Sequence, residues 1–299
     1  DRLCKLDKGN NMNTKMLTDL NHGEEIFLDI KKHILDNYGV APTENFRVEE
    51  AAYARIEFLK DFLRQSGRKS YVLGISGGVD STATGLLCQE ACRQLTVEGY
   101  GAYFIAVRLP YGAQKDVDYA NLALDTINPD CIQTVDIKPA VLDLECEVLK
   151  SNGANESRLD FARGNIKARM RMVAQYHIAE LNNGLVIGTD HNSEAVMGFY
   201  TKHGDGACDL TILNGLNKRQ VRLLAKYLGA PEKLYNKAPT ADLEDLKPGK
   251  LDDEGFGFPY DHLDDFLEGK ETDKDSELKI VKQYHATVHK RVLIPGFSS

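Results

Sequence analysis

The 299-residue chain is 42% hydrophobic and 27% charged, the proportions of an ordinary globular protein long enough to bury a full α/β core. Its formal net charge of −8, from 45 acidic against 37 basic residues, argues against a nucleic-acid partner, because phosphate backbones recruit a Lys/Arg excess. No apolar run reaches the roughly eighteen residues that a membrane span needs.

Residues 1–24 read as a polar extension, disordered or added to the chain, and they lack the apolar centre of a signal peptide. Residues 25–299 are expected to form one domain. The first helix is expected over Val48 to Gln65, where Ala51, Ala52, Ile56, Leu59, Phe62 and Leu63 fall at helical spacing and Gly67 supplies the stop. Ser70 to Ile75 is a short apolar run bounded by turn signals, the mark of a buried strand. Thr82 to Leu95 reads as a helix, Gly101 to Leu109 as a strand, Val117 to Ile127 as a helix and Cys131 to Ile137 as a strand. Cys88 and Cys92 lie one helical turn apart, and none of the six cysteines forms a CxxC pair. That pattern fits reduced, buried thiols and a cytoplasmic location. Asp160 to Leu181 is the longest helix candidate, and Gly184 to Thr189 is a fourth strand.

Strands alternating with helices imply a Rossmann-like α/β fold, a parallel sheet with helices on both faces. Ligands in such folds gather outside the carboxyl ends of the strands. Two further segments, Thr201 to Asn217 and Leu246 to Gly257, have loop composition and serve either as lids or as plain surface connections.

Chemistry concentrates at those strand ends. Ser76-Gly77-Gly78-Val79-Asp80-Ser81 follows the first strand and opens a helix. Its two glycines can take positive φ and let backbone N–H groups approach an anion, with the helix dipole adding a positive end. The loop lacks the Lys-Ser/Thr of a Walker loop and the G-x-G-x-x-G of a dinucleotide fingerprint. Asp80 cannot face phosphate directly, and a carboxylate there normally holds Mg²⁺. Gly188-Thr189-Asp190-His191-Asn192-Ser193-Glu194 follows the fourth strand, where Glu194 could complete the metal shell and Asp190 is expected to cap the next helix. On the long helix Arg163, Lys167 and Arg171 share one face and Arg169 points elsewhere, with Arg171 read as solvated.

The Ser-Gly-Gly-x-Asp-Ser signature resembles the pyrophosphate loop of the N-type ATP pyrophosphatases, which activate a carboxylate or carbonyl as an adenylate. More specifically, Leu73 to Ser81, Phe104 to Gln114, Phe161 to Arg169, Gly188 to Glu194, Phe199 to Asp209, Lys237 to Asp245 and Tyr260 to Lys270 are similar to the ammonia-dependent NAD synthetases. The resemblance runs from about Val48 to Arg291. It implies ATP-dependent amidation of deamido-NAD by ammonia through an adenylate, a ligase reaction releasing AMP and pyrophosphate. It implies that ATP meets Gly74, Ile75, Ser76, Gly77, Gly78, Val79, Asp80, Ser81, Arg108, Gln114, Thr189, Lys218 and Thr240, with Mg²⁺ on Asp80 and Glu194. Deamido-NAD would meet Arg169, Lys202, Asp209, His289 and Lys290, with Phe161 and Phe199 flanking the pyridine ring. Asp205 is the candidate for orienting ammonium, and Asp80, Asp205 and Lys218 are the expected catalytic residues. Family members place the site at a homodimer interface.

Three positions depart from the family pattern: Val79 where Gln is frequent, Gly206-Ala207-Cys208 in place of a more glycine-rich stretch, and the tail after Arg291. The rival readings are a GMP synthetase-like enzyme of the same loop class and a non-catalytic nucleotide-binding protein.

Overall fold

The computed structural model describes residues 20–112, 117–150, 155–241 and 250–292. A helix α1 (Leu20–Tyr38) runs across the boundary expected at residue 24. After a 3-10 turn (Thr43–Asn45) come α2 (Val48–Ser66), β1 (Ser70–Gly74), α3 (Val79–Val97), β2 (Tyr103–Arg108), α4 (Val117–Ile127) and β3 (Cys131–Thr134). Next are α5 (Lys138–Leu149), α6 (Glu156–Leu181), β4 (Gly184–Gly188), α7 (Asn192–Met197) and β5 (Leu210–Thr211). The chain continues through α8 (Lys218–Tyr227), α9 (Glu232–Tyr235), β6 (Thr240–Ala241), β7 (Lys250–Leu251), α10 (Asp252–Phe256), α11 (Tyr260–Leu267) and α12 (Lys274–Ala286).

The expected parallel sheet is present, with strand order β3-β2-β1-β4-β5 and every pairing parallel. Its central strands feed two cores alternately. Tyr71, Leu73, Phe104 and Ala106 pack on one face against α2, α3 and α8, while Val72, Ile105 and Val107 pack on the other with Val141, Ile178 and Ala179 of α5 and α6. Burial on both faces is why these strands read as continuous apolar runs rather than alternating ones. A third cluster joins Ile30 and Ile34 of α1 to Val196, Leu263, Phe266, Ile280 and Val281.

Two segments read as loops carry structure. The 201–217 segment contributes β5, which extends the sheet beyond β4. Within 246–257, the described residues form β7 and α10, and residues 246–249 lie outside the described residues. Cys88 and Cys92 are buried free thiols as expected, whereas Cys146 on α5 is exposed.

Glu268 locks the C-terminal helices to the rest. Its carboxylate accepts from Thr43 N at 3.1 Å, from the Thr43 hydroxyl, from Asn217 Nδ2 at 2.9 Å and from Arg219 Nη1 at 3.1 Å, and pairs with Lys270 Nζ at 2.7 Å. Burial opposes the charge, but Lys270, Thr43 and Asn217 outweigh it and bring the carboxyl down to about 2. A folded value below the unfolded one gives stability that is complete above the unfolded pKa of about 4.3 and lost as pH falls toward 2. Glu268→Gln is therefore expected to cost roughly 3 kcal/mol at neutral pH. Urea denaturation checks this, with the gap to the unaltered protein closing as pH drops from about 4 to 2.

Candidate active site

From β1 the chain builds the sheet outward through β2 to β3, then returns to lay β4 on the other side of β1. The strand order reverses between β1 and β4, and at such a switch point the connections leave in opposite directions and open a crevice. A cavity of about 590 Å³ lies there, lined at its floor by Leu73 to Ser76, Val107, Leu109 and Val186 to Thr189. Both predicted motifs open into it.

The loop after β1 is built around two serines. Ser81 Oγ lies 3.1 Å from Ser76 Oγ and donates to Gly78 O, while Gly78 N donates to Ser76 Oγ. Gly78 is the N-cap of α3, no side chain caps that end, and Gly78, Val79, Asp80 and Ser81 line the cavity. The helix therefore starts at Val79 rather than Thr82, because the loop itself provides the first turn. Only Gly77 takes positive φ, at 78°, while Gly78 is extended at φ −83°. Val79 is buried in the core cluster beneath the loop and also lines the cavity. Ile75 sits in the same core and donates its N–H to Val107 O, fixing the loop's entry.

Beside the loop, four ionisable groups converge from three elements. Lys218 opens α8, is 2% exposed, and its Nζ lies 2.7 Å from Asp80 Oδ2 and 3.6 Å from Glu194 Oε1. His191 Nε2 lies 3.6 Å from Asp80 Oδ1 and 3.5 Å from Glu194 Oε1. Burial would lower the Lys218 ammonium, but Asp80 and Glu194 outweigh it and hold it above its ordinary value. Burial would likewise raise Glu194, but His191 and Lys218 beside it bring the carboxyl to about 2. Asp80 Oδ1 is buried with no hydrogen-bond partner among the described residues. Asp80, His191 and Glu194 each offer one ligand atom within 4.8 Å of the others. An orphaned carboxylate oxygen and a second carboxylate, already neutralised by an ammonium, form a donor set suited to a hard divalent cation.

Asp190 does not cap α7. The N-cap is His191, and Asp190 stands one position earlier, where burial and the acids Glu194, Asp205 and Asp80 hold its carboxyl well above the usual range. Ser193 lies inside the helix and donates to Asp264.

Helix α6 lines another wall. Arg163 pairs with Glu145 at 3.0 Å, Lys167 is buried with its Nζ over the Tyr111 ring, and Arg171 Nε donates to Leu109 O at 3.1 Å. Arg171 thus lines the cavity rather than solvent, because its face of α6 lies over the end of β2. Gln175, one turn on, accepts from Gly74 N at 2.7 Å and holds the end of β1. Arg169 points away from this row and donates to Lys202 O, and Lys202 Nζ donates to His289 O at 2.8 Å. Lys290 Nζ donates to Gly198 O at 2.7 Å and to Tyr200 O, and lines the cavity with Phe161, Phe199 and Asp205. Enclosure by protein raises the Asp205 carboxyl above its usual range although Thr201 N donates to it at 2.9 Å.

Most predicted positions therefore gather at one cavity or its rim. Asp209 does not line the cavity: its carboxylate accepts from Val186 N at 2.7 Å beside β4. Arg108 ends β2 with its Nε buried and without a hydrogen-bond partner among the described residues. Thr240 opens the two-residue strand β6, paired with Leu251 of β7. Gln114 lies outside the described residues. Sequence reasoning passed over His191, Gln175 and Asp252. Asp252 starts α10, lines the cavity with an Oδ1 that has no hydrogen-bond partner among the described residues, and burial, against the pull of Lys218, pushes its carboxyl up to about 6. His191 and Glu194 at i and i+3 around a helix start carried a usable signal, as did Arg171 and Gln175 at i and i+4.

Comparison with known proteins agrees with this geometry. A family profile described as NAD synthase matches residues 52–294. An NH(3)-dependent NAD(+) synthetase from Stutzerimonas stutzeri (strain A1501) is 55% identical over 241 residues, covering 80% of this chain and 88% of that one. The crystal structure of an NAD+ synthetase from Burkholderia pseudomallei is similar with a TM-score of 0.76 at 46% identity, covering 87% of this chain and 95% of the other. An NMN synthetase from Francisella tularensis is similar with a TM-score of 0.73 at 31% identity, covering 85% and 100% respectively. A profile spanning residues 52–294 and a relative 55% identical over 241 residues establish that the chain belongs to the NAD synthase family.

Proposed function

We propose that the chain is a ligase that forms a C–N bond, amidating deamido-NAD with ammonia at the expense of ATP to give NAD, AMP and pyrophosphate. The observation that carries this reading is the junction, in one cavity, of an uncapped helix start with a carboxylate pair and a second basic and aromatic wall. One anionic substrate needs the first half, and joining it to a second anionic substrate needs both.

The chemistry divides between those halves. A nicotinate carboxylate oxygen attacks the α-phosphorus of ATP, and the bridging bond to the β-phosphate breaks. The N–H groups of the Ser76 to Ser81 loop receive the charge that builds on the departing pyrophosphate. Lys218, which lines the same cavity, neutralises that charge as well. Asp80 and Glu194 would hold Mg²⁺, which supplies charge neutralisation and orientation at the phosphates. Ammonium gives up one proton to become the ammonia that attacks the acyl carbon, the attacking nitrogen loses a second, and AMP leaves as the amide forms. Asp205, with its raised carboxyl, and the carbonyls of Gly198 and Tyr200 line the wall where an ammonium would be oriented. Arg169, Lys202, His289 and Lys290 take the second nucleotide's phosphates, with Phe161 and Phe199 at its ring. Enclosure of the site keeps water from the adenylate. Reduced thiols such as Cys88 and Cys92 suit a cytoplasmic setting.

The test is a product assay with ATP, Mg²⁺, ammonium and deamido-NAD, expected to yield NAD, AMP and pyrophosphate. ADP as product, or no turnover, rejects the reading in favour of another activity or a non-catalytic binder. The likeness to an NMN synthetase makes nicotinate mononucleotide the control substrate, expected to be the poorer one.

The reading includes a homodimer. The edge strand β3 exposes Ile132, helix α5 exposes Leu142 and Leu144, and helix α6 exposes Val173, which is 50% exposed. Apolar side chains of this size beside an edge strand mark an interaction face. Leu144→Lys with Val173→Lys is expected to halve the mass seen by light scattering and to lower turnover. An unchanged mass would move the interface elsewhere.

A further inference from the structure

We propose that Lys218 is an exchangeable internal cation. Without nucleotide it fills the ground between Asp80 and Glu194, so the pair takes a divalent metal only together with phosphates that draw Lys218 away. The inference rests on the nucleotide and metal reading above and adds a rule for the order of events.

Position is the first argument. Lys218 Nζ is 2.7 Å from Asp80 Oδ2, 3.6 Å from Glu194 Oε1 and 3.4 Å from His191 Nε2, with the Tyr260 ring centroid at 5.5 Å. That is the ground a metal shared by the two carboxylates would occupy. A divalent cation entering there meets an ammonium within bonding distance of its ligands, in a site too buried for water to screen the repulsion. Expelling Lys218 into the enclosed site without a new acceptor leaves a buried, unpaired charge. Phosphate oxygens remove that obstacle because they accept its three N–H bonds and carry the balancing charge.

The fold is the second argument. Lys218 N donates to Ser193 Oγ at 3.3 Å and to Asp264 Oδ1 at 3.2 Å. Asn217 and Gln220 close a capping box around the same turn. The backbone is therefore pinned while the four-carbon stem can swing, so the exchange needs only a rotamer change.

The probe is Mn²⁺, followed by the electron paramagnetic resonance of the free ion, with and without a non-hydrolysable α,β-methylene ATP analogue. The unaltered protein is expected to hold Mn²⁺ tightly only with the analogue. Lys218→Met is expected to hold it without nucleotide at least about tenfold more tightly than the unaltered protein does. Asp80→Asn in the Lys218→Met background should abolish that gain, and Lys218→Arg should stay closed to the free ion. Lys218→Gln gives the same reading if the Met variant does not fold, as judged by thermal melts. The proposal is overturned if a folded Lys218→Met or Lys218→Gln binds free Mn²⁺ no better than the unaltered protein. It is equally overturned if the unaltered protein binds the ion as tightly without the analogue as with it. Failure to bind Mn²⁺ even with the analogue overturns the metal reading itself, and the exchange with it.

Discussion

Asp80→Asn is expected to lower turnover by about a thousandfold or more while leaving the protein folded. The substitution keeps the side chain's shape at the second position of α3 and removes only its charge. The structural cost has two parts. Losing a carboxylate at a helix N-terminus costs about 0.5 kcal/mol. Removing one partner of a buried ammonium can cost several kcal/mol, but Glu194 Oε1 at 3.6 Å remains to pair with Lys218. The catalytic cost is larger, because on the proposed reading Asp80, which pairs with Lys218 through Oδ2, would offer its orphaned Oδ1 to Mg²⁺. Steady-state assays with ATP and deamido-NAD at saturation measure it, with a thermal melt as the folding control. Glu194→Gln should lose a similar factor, and the double variant little more, since the two carboxylates act as one unit. A near-normal rate for Asp80→Asn would remove the pair from the phosphate site.

How much of this was legible depends on whether the cause lay within a few residues. The strand at Ser70, the loop and the helix at Val117 are local patterns, and the fold repeats them closely. The cluster around Lys218 was not readable as geometry, because Asp80 and Lys218 stand 138 residues apart and only the sheet topology joins them. A family resemblance nominated both residues without pairing them. Arg171 was misread because a charge run on a helix says nothing about which face packs on the sheet. A glycine pair allows positive φ at both positions without saying which one takes it, and here only Gly77 does. Helix α1 carried a usable signal, with Ile26, Ile30 and Ile34 each four apart, hidden by its polar surroundings.

The two loop glycines supply the sharpest remaining contrast, because their roles differ in kind. Gly77→Ala is expected to lower ATP affinity by about a hundredfold and to destabilise the fold by roughly 2–4 kcal/mol. At φ 78° an added Cβ incurs the left-handed penalty. It would also lie 2.6 Å from Ala120 N and from Tyr119 C, so the start of α4 must move. Backbone cannot rotate aside as the end of a side chain can, and the displaced loop would turn its N–H groups off the anion. Gly78→Ala faces neither obstacle, since φ is −83° and the new Cβ would meet only Ser76 Oγ at 3.3 Å. Its expected change in stability is within about 1 kcal/mol, with any loss of affinity confined to the crowded phosphate approach. Thermal melts and calorimetric titration with the ATP analogue separate the two substitutions. Equal melting temperatures for both variants would mean that the anion-binding geometry does not depend on the left-handed residue at 77.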